Sequence, residues 1–225
     1  MNYLFIVTHG RSGSTALMKA LNALPGYCIR GENAGILRPM VEALEIARAN
    51  DHWHTTDYTP GDPWFGANLG HPERLKQRLA RGLVQDVLAP PDGTEVAGFK
   101  EIRYMADEVP DYLYWPMMRF LLFGLDGPGR IVLLTRDAAT TARSGWFRTQ
   151  DYHYALDHVT RTHARLRQTA EAFPKRTFLL DHDRFAHDAR GLRPLMDWLG
   201  AAPADHVLQE ALAPRLTHAA EPKDD

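Results

Sequence analysis

Two rhythms of apolar residues alternate along this chain. Short runs rich in β-branched and aromatic residues occupy 3–7, 27–30, 95–100, 130–135 and 176–180, and they read as buried strands. Between them, apolar positions recur at helical spacing: Leu17, Ala20, Leu21 and Leu24, then Leu37, Met40, Leu44 and Ala47 within 36–49. An amphipathic stretch over 73–88 ends at Pro90-Pro91-Asp92-Gly93, and an apolar one over 114–125 ends at Asp126-Gly127-Pro128-Gly129. A short helix runs from Ala138 toward Trp146, and Leu156, Val159, Leu166, Ala170 and Phe173 mark a long one over 152–173. Leu192, Leu195, Met196 and Leu199 form the last before Gly200. Strands separated by helices predict an α/β fold, a parallel sheet of about five strands with helices on both faces, in a single domain over 1–225. Residues 50–70, with Pro60, Gly61, Pro63, Trp53 and Trp64, read equally as an acceptor-binding lid or a poorly ordered loop. The tail from Ala213 is polar and is expected to be mobile.

The first strand leads into Gly10-Arg11-Ser12-Gly13-Ser14-Thr15 and then into the first helix. Strand, glycine-bearing loop and helix together aim backbone N–H groups and a helix N-terminus at an anion. Gly10 and Gly13 let the backbone wrap closely, and Arg11, Ser14 and Thr15 add side-chain donors. The loop is P-loop-like but differs from the nucleoside-triphosphatase motif GxxxxGK[ST], since Arg11 precedes the second Gly and no Lys follows it. Taken alone, the stretch also suits a turn whose Ser and Thr merely cap the helix.

Ligand-contacting residues of open α/β sheets gather at the carboxyl ends of strands. Glu32 follows the second strand, Lys100 ends the third, Arg136 follows the fourth and His182 the fifth. Each has a plainer reading. Arg136-Asp137 also suits a surface ion pair and helix cap, Glu32 a helix-start carboxylate, and Lys100 a solvated strand end. Alternation along the strand puts Glu101 and Arg103 opposite Lys100, as a structural pair, and puts Arg30 on the face of Glu32, placed to tune it. His9 suits contact with acceptor or phosphate as well as packing. Tyr112, Tyr114 and Trp115 suit an acceptor pocket, with aromatic core the better reading for at least two. His52 and His54 lack the further ligands that a metal site needs.

These segments, in this order, resemble the sulfotransferases that use 3′-phosphoadenosine 5′-phosphosulfate (PAPS). Gly10-Arg-Ser-Gly-Ser-Thr is similar to that family's 5′-phosphosulfate loop. Arg136, with Ser144 eight residues on, is similar to its 3′-phosphate element. Leu179-Leu-Asp-His-Asp-Arg-Phe resembles the segment often written YEDL, with His182 where the family carries Tyr. Gly31-Glu32-Asn33 resembles the acidic position that several branches use as catalytic base, and Phe99-Lys100-Glu101 a strand end with a basic residue near the sulfonate. The resemblance covers 3–36, 95–104, 130–147 and 176–200 and is nearest to bacterial, carbohydrate and tyrosyl branches. It lacks the glycine- and lysine-rich C-terminal clamp and the base histidine of the cytosolic steroid and phenol enzymes, which moves the base role to Glu32. It implies PAPS as co-substrate, adenosine 3′,5′-bisphosphate (PAP) as product, and Gly10, Arg11, Ser12, Gly13, Ser14, Thr15, Arg136 and Ser144 as nucleotide contacts. Glu32, Lys100 and Arg11 are the implied catalytic residues, with no metal.

The formal net charge of −2 argues against a nucleic-acid polymer or an anionic membrane as partner and leaves a small-molecule or glycan acceptor. Cys28, the only cysteine, excludes an internal disulfide and suits a reducing compartment. A strand from residue 3 leaves no room for a signal peptide, so the expected location is cytoplasmic. A Mg²⁺-dependent kinase-like phosphotransferase and a non-catalytic nucleotide-binding module are the alternatives. The residues do not choose among sugar, phenol, other hydroxyl or amine acceptors, nor an oligomeric state.

Overall fold

The computed structural model describes residues 1–213, so the tail expected to be mobile lies outside the described residues from 214 on. Five strands form one parallel sheet: β1 (Asn2–Val7), β2 (Tyr27–Arg30), β3 (Val96–Glu101), β4 (Gly129–Thr135) and β5 (Thr177–Asp181), in the order β2-β3-β1-β4-β5. Helices cover both faces, as expected: α1 (Ser14–Asn22), α2 (Leu37–Ala49), α3 (Pro72–Gly82), α4 (Asp111–Phe123), α5 (Ala138–Ala142), α6 (Tyr152–Ala172), α7 (Arg193–Leu199) and α8 (Asp205–Leu212). The two faces follow from alternation along β1. Tyr3, Phe5 and Val7 join Phe99, Ile131 and Leu133 in a core with α2, α4 and α6. Leu4 and Ile6 join Val132 and Leu134 in a second core with α1, α7 and α8.

Because β1 lies between β3 and β4, the chain leaves it toward β2 on one side and later reaches β4 and β5 on the other. That reversal opens a crevice at the carboxyl ends of the strands, where the segments after all five strands meet.

Several local expectations change. The helix over 73–88 is α-helical only to Gly82, and Leu83–Leu88 continues as a π-helix. Arg30 does not face Glu32. Its guanidinium donates from Nε to Leu88 O at 2.9 Å and from Nη2 to Ala89 O at 2.7 Å, holding that helix end where carbonyls lack partners. Residues 50–70 carry 3₁₀ turns at Asp51–Trp53 and Ala67–Leu69, with His52 stacked on Trp64 at 3.9 Å between ring centroids. Tyr114 is buried and Trp115 packs against the core, whereas Tyr112 is exposed.

Candidate active site

A cleft of about 920 Å³ opens at the carboxyl edge of the sheet. Gly10, Arg11, Gly13, Ser14 and Thr15 line it together with Glu32, Lys100 and Arg136. Most of the candidate residues therefore meet in one place, from four strand ends. Ser12 and Ser144 do not line the cleft. Ser12 is fully buried, and its hydroxyl has no partner among the described residues. Ser144 was expected about two turns along the helix after Arg136, but α5 ends at Ala142 and the Ser144 hydroxyl donates to Thr141 O at 2.9 Å. Thr140 lines the cleft instead.

The loop after β1 is held in an unusual conformation. Arg11 has φ 65°, uncommon for a residue with a side chain, and Gly13, at the N-cap of α1, has φ 84°. Ser14 and Thr15 then occupy the first positions of α1, where backbone N–H groups have no intrahelical acceptor and point at the cleft side of the helix end. A Cβ on Gly13 would lie 2.1 Å from His182 Cδ2, so His182 packs directly over the loop. Replacing Gly13 by Ala therefore adds about 1–2 kcal/mol of left-handed strain to a steric clash. Gly13→Ala is expected to weaken bisphosphate binding about tenfold or more, read by titration calorimetry. Unchanged affinity would mean that the loop does not hold the anion.

Two guanidinium groups are short of partners. Arg136 Nη1 donates to the Arg11 carbonyl at 2.9 Å, tying the loop to the end of β4. Arg136 Nε and Arg11 Nε are both buried with no hydrogen-bond partner among the described residues. Both side chains line the cleft, and two guanidinium groups there fit a site shaped for an anion. The phosphate and sulfonate groups of PAPS satisfy that need, so the residues present fit this nucleotide.

Lys100 is only 6% exposed, and its Nζ donates to Glu32 Oε1. The register explains how they meet: Lys100 pairs with Ile6 and points to the α1 side of the sheet, while Glu32 follows β2, the neighbour of β3. Burial of the ammonium is compensated by the carboxylate, which is more than a third exposed and faces the cleft.

His9 does not line the cleft. Its Nδ1–H donates to Gly10 O at 2.8 Å, so its Nε2 accepts from His163 Nε2–H, also at 2.8 Å. Burial pushes both imidazoles down to about 4, which keeps the pair neutral and the bond intact at neutral pH. His9 is thus a strut beneath the loop.

Sequence reasoning did not single out Trp146 or Ile102 as site residues, and both line the cleft. Trp146 is half-exposed, stacked on the buried Phe147, and its Nε1 would lie 3.0 Å from a Cβ on Gly10. Its position two residues past Ser144 is the one signal in the sequence that points to it. Ile102 simply extends the strand end that carries Lys100.

No family model and no curated protein matches this sequence. Solved structures similar to it include the following two. Retinol dehydratase in complex with androsterone and inactive cofactor PAP aligns at 16% identity with a TM-score of 0.38, covering 94% of this chain and 63% of that one. The sulfotransferase domain of the Synechococcus PCC 7002 olefin synthase aligns at 17% identity with a TM-score of 0.57, covering 96% of this chain and 78% of that one. The latter likeness shows the fold: this chain has the α/β fold of a sulfotransferase domain.

Proposed function

We propose that the chain transfers the sulfuryl group of PAPS to a hydroxyl or amine of a small-molecule or glycan acceptor. The observation that carries this reading is the meeting, in one cleft, of the glycine loop, two anion-seeking guanidinium groups and the Lys100–Glu32 pair. PAPS supplies an activated sulfuryl group and a bisphosphate leaving group. The N–H groups of Ser14 and Thr15 and the positive end of α1 meet the charge that grows on the 5′-phosphate side. Arg11 and Lys100 hold the sulfonate and its bridging oxygen, each donor contributing about 3–4 kcal/mol in a site closed to water. Arg136, whose side chain lines the cleft, offers its forked guanidinium to the 3′-phosphate. Glu32 takes the acceptor's proton as the new bond to sulfur forms and the bond to the phosphate oxygen breaks. For that step the Lys100–Glu32 contact opens, which frees one group for each side of the transfer.

Labelled sulfuryl transfer from PAPS, screened across alcohol, phenol, sugar and amine acceptors in excess chelator, tests this reading. The loop has no GK[ST] to partner Mg²⁺, and a sulfonate carries less charge than a terminal phosphate. Turnover is expected without divalent cation. Transfer that vanishes in chelator and returns with Mg²⁺ would favour a kinase-like enzyme instead.

A further inference from the structure

We propose that Glu101 is a positioning residue, which fixes Glu32 by holding the turn that follows it. Glu101 ends β3 directly after Lys100, and alternation along the strand points it to the opposite face, where it is 1% exposed. The expected pair with Arg103 is loose, at 3.9 Å to a half-exposed guanidinium. The Glu101 carboxylate is instead engaged with backbone. Its Oε2 accepts from Asn33 N–H at 3.1 Å and from Gly35 N–H at 2.9 Å, and its Oε1 accepts from Ile102 N–H at 2.8 Å.

The turn it holds has little support of its own. Ala34 has φ 58° and Gly35 has φ 74°, two successive residues in the left-handed region, and Ala34 carries the strain of a side chain there. Charge-assisted hydrogen bonds to a buried carboxylate are strong enough to maintain such a conformation. The same carboxylate sits just ahead of the N-terminus of α2, where negative charge is favoured. Glu32 is one residue before Asn33. Two neighbours on β3 therefore hold it from two sides, Lys100 through its carboxylate and Glu101 through the backbone beyond it.

This inference rests on the reading of Glu32 as the base. In Glu101→Gln an amide nitrogen replaces one acceptor oxygen, so at least one of these N–H groups loses its partner. The variant is expected to lower kcat about 10- to 100-fold, the scale of misplacing a catalytic group by about an ångström. The KM for PAPS and the affinity for the bisphosphate should stay within about threefold. Amide exchange at Asn33 and Gly35 should quicken. In the Glu32→Gln background the added Glu101→Gln should lower kcat by no more than about twofold, because a residue acting through Glu32 has nothing left to position. Glu101→Asp keeps the charge but retracts it by one methylene, and it should reproduce the pattern if the Gln variant fails to fold. Unchanged kcat in folded Glu101→Gln or Glu101→Asp, or losses that multiply in the double variant, would overturn the positioning role while leaving Glu32 as base. Unchanged kcat in Glu32→Gln alone would instead remove the base and this inference with it.

Discussion

Glu32→Gln is expected to lower kcat by about 10²–10⁴, the range for loss of a general base, with donor affinity held within about threefold. The substitution keeps size and hydrogen-bonding capacity and removes basicity. Glu32 is the carboxylate that lines the cleft beside Lys100, and an acceptor hydroxyl is a poor nucleophile unless its proton leaves as the new bond forms. A loose transition state makes proton transfer late, so the loss should be smaller for an acidic phenol than for a sugar hydroxyl. Single-turnover rates against pH for wild type and variant, with donor binding measured separately, decide the matter. Wild-type turnover of an alcohol by Glu32→Gln would contradict the assignment. His9 would not then inherit the role, because it is buried, bonded to His163 and absent from the cleft wall.

Arg136→Ala should weaken bisphosphate binding by about 2–4 kcal/mol, the scale of losing a charge-assisted pair to a buried anion. Binding of adenosine 5′-phosphate should change far less. The two ligands separate two jobs that this one side chain can do. Its side chain lines the cleft, as a 3′-phosphate contact requires, while its Nη1 already braces the Arg11 carbonyl in the 5′ loop. Titration calorimetry with both ligands distinguishes them. Equal losses would assign Arg136 to the loop rather than to the 3′-phosphate.

What could be read from the sequence was what depends on near neighbours. The apolar runs and the helical spacing foretold the five parallel strands and both helix layers, because a strand buried on both faces is apolar throughout and a buried helix face recurs every three to four residues. Parity alone separated Lys100 from Glu101, and the structure keeps them on opposite faces. The losses came from contacts between distant residues. Arg30 reaches the carbonyls of Leu88 and Ala89, 58 and 59 positions away, and no local pattern announces that its charge is used there. His9 finds His163 across 154 positions, and Glu101 finds Asn33 across 68. The helix expected from Ala138 toward Trp146 is shorter for a local reason. Past Ala142 the chain turns, and the Ser144 hydroxyl bonds back to Thr141. The strained φ of Arg11 was equally invisible, because nothing in Gly-Arg-Ser-Gly requires a left-handed arginine.

The central claim is that this cleft is built for a 3′-phosphorylated adenosine nucleotide held without metal. Titrating the wild-type protein with adenosine 3′,5′-bisphosphate in excess chelator, beside adenosine 5′-phosphate and ATP with and without Mg²⁺, tests it most directly. Saturable binding of the bisphosphate in chelator, tighter than that of adenosine 5′-phosphate, is the expected result. No binding of the bisphosphate, with ATP bound only when Mg²⁺ is present, would contradict it.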